Sequence, residues 1–174
     1  MVGAIAIAFV LNAVIFHPYQ VFGASMSPTL EQGDRLIVSK LAKSWASLWN
    51  REYVPARGEI IVFKNPVNPT EQLVKRVIAL PGERIVVGDG EITVYNSDNP
   101  EGFDPDEAYK EQIDDKTAGN LDIEISEHHI FVSGDNRELG GSLDSRNGLG
   151  TVPLENVVGE LILRITPFPE AKFF

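Results

Sequence analysis

Apolar positions along this chain change pattern once, from an unbroken run at the start to short runs separated by turn residues. Val2 to Phe16 is apolar except for Asn12 and predicts a helix of roughly 22 Å, less than a bilayer's hydrocarbon thickness of about 30 Å. His17-Pro18 ends that helix in this reading, because proline lacks a donor and restricts the residue before it. The run reads as a membrane anchor, a cleaved signal peptide or a buried core helix. From Tyr19 onward the signals are those of strands. Leu36-Ile37-Val38, Glu59 to Phe63, Leu73 to Leu80, Arg84 to Val87, Glu91 to Tyr95, Ile130-Phe131-Val132 and Gly159 to Ile165 all carry them. Gly88-Asp89-Gly90 predicts a hairpin between the fourth and fifth of these. One helix is expected between Ser39 and Asn50, where Leu41, Trp45, Leu48 and Trp49 recur at helical spacing. Trp45 and Trp49 read as core residues, with a lipid headgroup region as the alternative setting for their rings. Phe168, Phe173 and Phe174 admit the same two readings.

A chain of 174 residues is the size of one domain with room for a small subdomain, and it is long enough to bury a core. The formal charge is −10, but Asn96 to His128 holds 11 acidic and 2 basic residues, a local −9. Acidity therefore belongs to one segment, which reads as a small exposed subdomain or a flexible loop. The balance argues against nucleic acid as a partner, since phosphate binding needs a basic stripe. The absence of cysteine removes disulfides, thiol nucleophiles and thiolate metal sites.

The candidate chemistry lies in Ser25-Met26-Ser27-Pro28-Thr29-Leu30 and in Gln72 to Gly82, which contains Lys75. Ser25 is also good turn chemistry, but as a nucleophile it needs a base. An ordinary lysine is protonated at neutral pH, with a reference pKa of about 10.4. In a strand, Lys75 shares a face with Leu73, Val77 and Ala79, while Val74, Arg76, Ile78 and Leu80 point the other way. An amine desolvated on that face, with the charge of Arg76 nearby, becomes a base; the alternative is a lysine whose stem packs while its head reaches water. His17, His128 and His129 open a Ser/His/Asp alternative, although an adjacent histidine pair at a strand start reads as a surface feature. No zinc spacing is present, and neither Gly134-Asp135-Asn136-Arg137 nor Gly88-Asp89-Gly90 is a phosphate loop.

These two segments, with Gly33 to Lys40, Arg57 to Lys64, Gly134-Asp135-Asn136-Arg137 and Ser142-Leu143-Asp144-Ser145-Arg146, resemble the type I signal peptidases, membrane-anchored Ser/Lys proteases. The resemblance covers most of the chain except about Tyr95 to Glu127. It implies a mostly β, antiparallel signal-peptidase-like fold with a small inserted subdomain and an N-terminal membrane-anchor helix. The anchor would be residues 1–17 and the catalytic domain 18–174, with 96–127 an acidic insert or cap. It implies Ser25 as nucleophile, Lys75 as base, Ser142 bonding and orienting the lysine, Asp144 paired with Arg146, and Asp135 paired with a neighbouring arginine such as Arg76. Shallow pockets for small residues would be lined by Val21, Met26, Leu36, Val62, Leu73 and Val74. The implied partners are secretory preproteins and membrane lipid; the chain would be a single-pass monomer with its catalytic domain outside the cytoplasm. No cofactor is implied. Two departures stand out. Gly23 replaces a hydroxyl-bearing oxyanion donor found in some members, and Glu138-Leu139-Gly140-Gly141 lengthens the loop before Ser142 by about two residues. The competing readings are another Ser/Lys peptidase on this fold and a non-catalytic membrane-anchored β domain.

Overall fold

The computed structural model describes residues 16–113, 116–165 and 171–174. The architecture is two antiparallel sheets. The larger runs in the order β1 (Phe16–Gln20), β2 (Arg35–Ser39), β10 (Val157–Arg164), β3 (Ile60–Lys64), β4 (Gln72–Ala79), β8 (His129–Ser133) and β9 (Val152–Pro153), with β11 (Lys172–Phe173) also on β10. The smaller is β6 (Glu91–Tyr95), β5 (Arg84–Gly88) and β7 (Leu121–Glu124). The mostly β reading therefore holds. Residues 2–15, where the N-terminal helix was expected, lie outside the described residues, and no described helix is long and apolar enough to cross a membrane.

Phe16, His17 and Pro18 are strand residues, pairing with Ser39, Val38 and Ile37 in β1. Proline is tolerated there because β1 is, among the described residues, an edge strand of the large sheet. The Asp89-Gly90 turn joins β5 to β6 with Gly88 opposite Glu91, both turn residues having positive φ as a tight hairpin requires.

Three clusters form the core. Ile61, Phe63, Val77, Val132 and Val157 pack within the large sheet, and Ile78, Ala79, Ile85, Val94 and Phe131 join the two sheets. Val21, Met26, Leu30, Leu36, Ile60 and Leu161 underlie the chain after β1. A register shift in β4 between Val77 and Ala79 interrupts its alternation. Ala79 consequently packs in the cluster of Ile78, and Leu80 packs with Leu73 and Val77, against the assignment that strict alternation makes.

Three further readings are narrowed. Trp45 and Trp49 are not core residues: the helix α1 (Leu41–Leu48) packs on β10, and both rings are largely exposed, at 59% and 69%. Phe173 is exposed on β11, Phe174 is exposed beside it, and Phe168 lies outside the described residues. The described part of the acidic segment is not loop throughout: it supplies β7, the 3₁₀ turn Glu107–Gln112 and the buried Asp106, Ile113, Thr117 and Ile125.

Candidate active site

Ser25 lies in a turn that β1 delivers to the edge of the large sheet, half-buried over its apolar cluster. Met26 and Leu30 are fully buried and hold the turn down, while Ser27 N–H bonds the Ala24 carbonyl at 3.1 Å and Leu30 N–H the Met26 carbonyl at 2.9 Å. From the other side, Asn136 donates its N–H to the Ser25 carbonyl at 3.2 Å and its side-chain amide to the Ala24 carbonyl at 3.3 Å. Gly134 lets these segments meet: a Cβ there would overlap the Ser25 carbonyl and the Ser142 side chain. The Ser25 N–H itself carries no hydrogen bond among the described residues and is free to hold a developing negative charge.

Lys75 Nζ donates to Ser25 Oγ at 2.7 Å and to the Val74 carbonyl at 2.8 Å, and the residue is only 2% exposed. Its β4 position, opposite Ile61 on β3, falls just before β8 begins to pair with β4 at Arg76. Burial pushes the amine down to about 8, with the Arg146 charge adding to the effect and Asp144 and Asp135 opposing it. Arg76, expected to add a lowering charge, is not among these influences. It is neutralised: Arg76 grips Asp135 at 2.8 and 2.6 Å and donates to the Gly58 carbonyl at 2.9 Å, all buried.

Asp144 binds Arg146 at 3.0 and 2.8 Å and accepts Gly134 N–H at 2.9 Å. Burial would raise this carboxyl, but the Arg146 bonds and charge, the Gly134 N–H and the Ser142 hydroxyl outweigh it and hold the group below the usual carboxylate range. Ser142 Oγ is buried and forms no hydrogen bond to Lys75, so the bond implied by the resemblance is absent; its hydroxyl bears instead on Asp144, whose carboxyl it helps to hold low. The lysine directs its bonds to Ser25 and Val74, and Ser142 is held through its carbonyl by the Asn147 amide at 2.9 Å.

Sequence reasoning missed the residues that brace this wall from behind. Fully buried Arg137 donates Nε–H to the Gly134 carbonyl at 2.8 Å, and its other nitrogens bind Asp106, one at 2.9 Å, and Thr117 at 3.2 Å. The Tyr109 ring lies 4.3 Å from the Arg76 guanidinium carbon, and its hydroxyl occupies the space a Cβ on Gly58 would need. Asp106, Tyr109 and Thr117 all come from the acidic segment. Their sequence signal is faint, because an acid with a distant arginine partner looks locally like any solvated acid.

A cleft of about 110 Å³ opens beside Ser25 and Lys75, and Val21, Leu36, Val62, Leu73 and Val74 line it. Tyr19, Phe22 and Gln72 also line it and were not anticipated. Met26, expected in the lining, is instead fully buried beneath it, because its side chain anchors the serine turn to the core. His128 and His129 are engaged away from Ser25: His128 meets Glu52 at 2.6 Å on the surface, and His129 meets the Glu127 carbonyl at 3.1 Å, while His17 pairs with Val38 in β1.

A family model described as signal peptidase, peptidase S26, matches residues 1–166. Signal peptidase I U of Bacillus subtilis (strain 168) is 31% identical over 170 residues, covering 96% of this chain and 84% of the relative. Signal peptidase I of Bacillus caldolyticus is 34% identical over 178 residues, covering 98% and 90%. A crystal structure of a signal peptidase I from Enterococcus faecalis V583 aligns with a TM-score of 0.48 and 28% identity, over 62% of this chain and 97% of that one. With a family match over nearly its whole length and relatives above 30% identity along most of theirs, the chain belongs to the signal peptidase family, peptidase S26, and is a serine peptidase.

Proposed function

We propose that this chain removes signal peptides from secretory preproteins with a Ser25–Lys75 dyad. The observation that carries the reading is the 2.7 Å contact between a buried lysine amine and the Ser25 hydroxyl. The neutral amine of Lys75 takes the hydroxyl proton as Ser25 Oγ attacks the scissile carbonyl. The oxyanion is held by the Ser25 N–H, with the Gly23 N–H or water assisting in place of the absent hydroxyl. Collapse breaks the C–N bond, and the Lys75 ammonium returns its proton to the leaving amine. Water, deprotonated by the same amine, then hydrolyses the ester and frees the serine.

Arg76–Asp135 and Asp144–Arg146 keep the lysine's wall in place, and Ser142 lies against that wall at Gly134. A preprotein adds as an extended strand beside β4, placing small side chains in the cleft of Val21, Leu36, Val62, Leu73 and Val74. Its volume of about 110 Å³ favours small residues before the cut. The Val2–Phe16 run serves as a single-pass anchor with the catalytic domain outside the cytoplasm, which raises the effective concentration of membrane-tethered substrate. The chain acts as a monomer.

Ser25→Ala and Lys75→Ala each abolish cleavage of a vesicle-inserted preprotein while thermal unfolding stays cooperative. A serine-directed penem acylates Ser25, mapped by mass spectrometry. Full cleavage by either variant rejects the dyad.

A further inference from the structure

Helix α1 turns its apolar stripe outward. Trp45, Leu48 and Trp49 stand at spacings of three and four, which place them on one helical face, and they are 59%, 73% and 69% exposed. The half-buried positions of the helix are instead Leu41, Ala42, Lys43 and Ala46, and Lys43 reaches the Val157 carbonyl of β10. A stripe of this kind normally faces a core, so its position calls for a partner.

The surroundings say which partner. On a protein of net charge −10, the charged side chains around α1 are Lys40, Lys43, Arg51 and Lys64 against Glu52 and Glu155, a local excess of base. Lys64 and Lys40 lie close enough to Lys43 that their charges, after burial, help push its amine down, with Glu155 opposing them. Arg51 follows the helix directly. Tryptophan beside lysine and arginine is the composition that favours a membrane–water interface, and the basic charge matches anionic headgroups. The chain's own path agrees. The apolar Val2–Phe16 run joins β1 at Phe16, which pairs with Ser39, two residues before α1 begins.

We propose that α1, with Trp45, Leu48 and Trp49 in contact and Lys40 and Arg51 flanking, docks on an anionic lipid surface. It is a second membrane contact besides the N-terminal run. The inference rests on the membrane setting given under the proposed function and adds the face and lipid charge. α1 and the cleft lie at opposite ends of the β1–β2 pair, about 16 Å apart at strand spacing, so the contact can be altered without touching the chemistry.

The chain contains two tryptophans, both on this surface, so intrinsic fluorescence reports it directly. The full chain is reconstituted in phosphatidylglycerol vesicles, in phosphatidylcholine vesicles and in detergent without phospholipid. Docking shifts emission to the blue and lets lipids brominated near the headgroup quench it in phosphatidylglycerol, far more than in phosphatidylcholine. Lys40→Gln and Arg51→Gln each weaken the docking equilibrium by about five-fold at low salt. The triple variant Trp45→Ser, Leu48→Ser, Trp49→Ser slows cleavage of a vesicle-inserted preprotein but not of a short soluble peptide. Water-like, unquenched emission in phosphatidylglycerol overturns the proposal, as does equal quenching in neutral vesicles. A blue shift that grows with protein concentration in lipid-free detergent also overturns it, assigning the face to a second copy of the chain. Quenching together with undiminished cleavage by Ser25→Ala upholds the surface and rejects the dyad, so the two failures are distinguishable.

Discussion

Lys75 can take a proton only as a free amine, and its depressed pKa of about 8 sets the pH at which that form dominates. The expected kcat/KM rises about ten-fold per pH unit on the acid side and levels off above about pH 8, measured on a short peptide. The same depression acts on stability. Between about pH 8 and the ordinary lysine value of 10.5, the unfolded chain binds more protons at this residue, so stability rises with pH through that window. Below it, a buried ammonium is carried at a cost on the order of 3 kcal/mol. Lys75→Met is therefore inactive yet has a higher Tm at pH 7, and a lower Tm counts against burial as the cause of the shift. Gly134→Ala forces apart Ser25 and Ser142; the expected result is a loss of stability of about 1–3 kcal/mol and an activity loss of at least ten-fold. Ser25 and Lys75 were legible as candidate groups because their motifs are local. The absence of a Ser142–Lys75 bond was not, since it depends on how the loop from Glu138 to Gly141 seats Ser142.

Among the elements, the 3₁₀ turn Glu107–Gln112 has the least obvious tie to the site, through Asp106 at its start and Tyr109 within it. Asp106→Ala leaves the guanidinium of Arg137 buried without its carboxylate, and the expected destabilisation is about 3–5 kcal/mol, read from urea unfolding. Tyr109→Ala removes the ring on Arg76, and kcat is expected to fall while KM holds, because the cleft residues are untouched. An unchanged kcat would confine Tyr109 to a structural role. Strand existence was legible wherever β-branched residues clustered, as in β3, β5 and β8. Where alternation breaks it was not: the shift after Val77 comes from pairing with β8, and β7 was hidden because Leu121–Glu124 alternates with acids inside a strongly acidic stretch.

At the scale of the whole molecule, the acidic segment and the catalytic wall behave as one body, joined by Asp106–Arg137, Tyr109–Arg76 and the Ala118 N–H to the Arg137 carbonyl at 2.9 Å. Replacing residues 97–116 by a short Gly-Ser linker is expected to abolish peptide cleavage and lower Tm, whereas a segment used only as a cap over substrate would change KM alone. Charge divides the surface as well, with an excess of acid in 96–128 and of base in 35–64. What the sequence by itself determined is the local chemistry: a serine turn, a lysine in an apolar strand, the β character and the placement of charge along the chain. These follow from side-chain type and near-neighbour spacing. The tertiary structure alone decided that Met26 leaves the cleft for the core, that Arg146 rather than Arg76 bears on the lysine, and that α1 faces outward. Each depends on which distant segments meet and exclude water, and pairing across tens of residues leaves no periodic trace in the order of the amino acids.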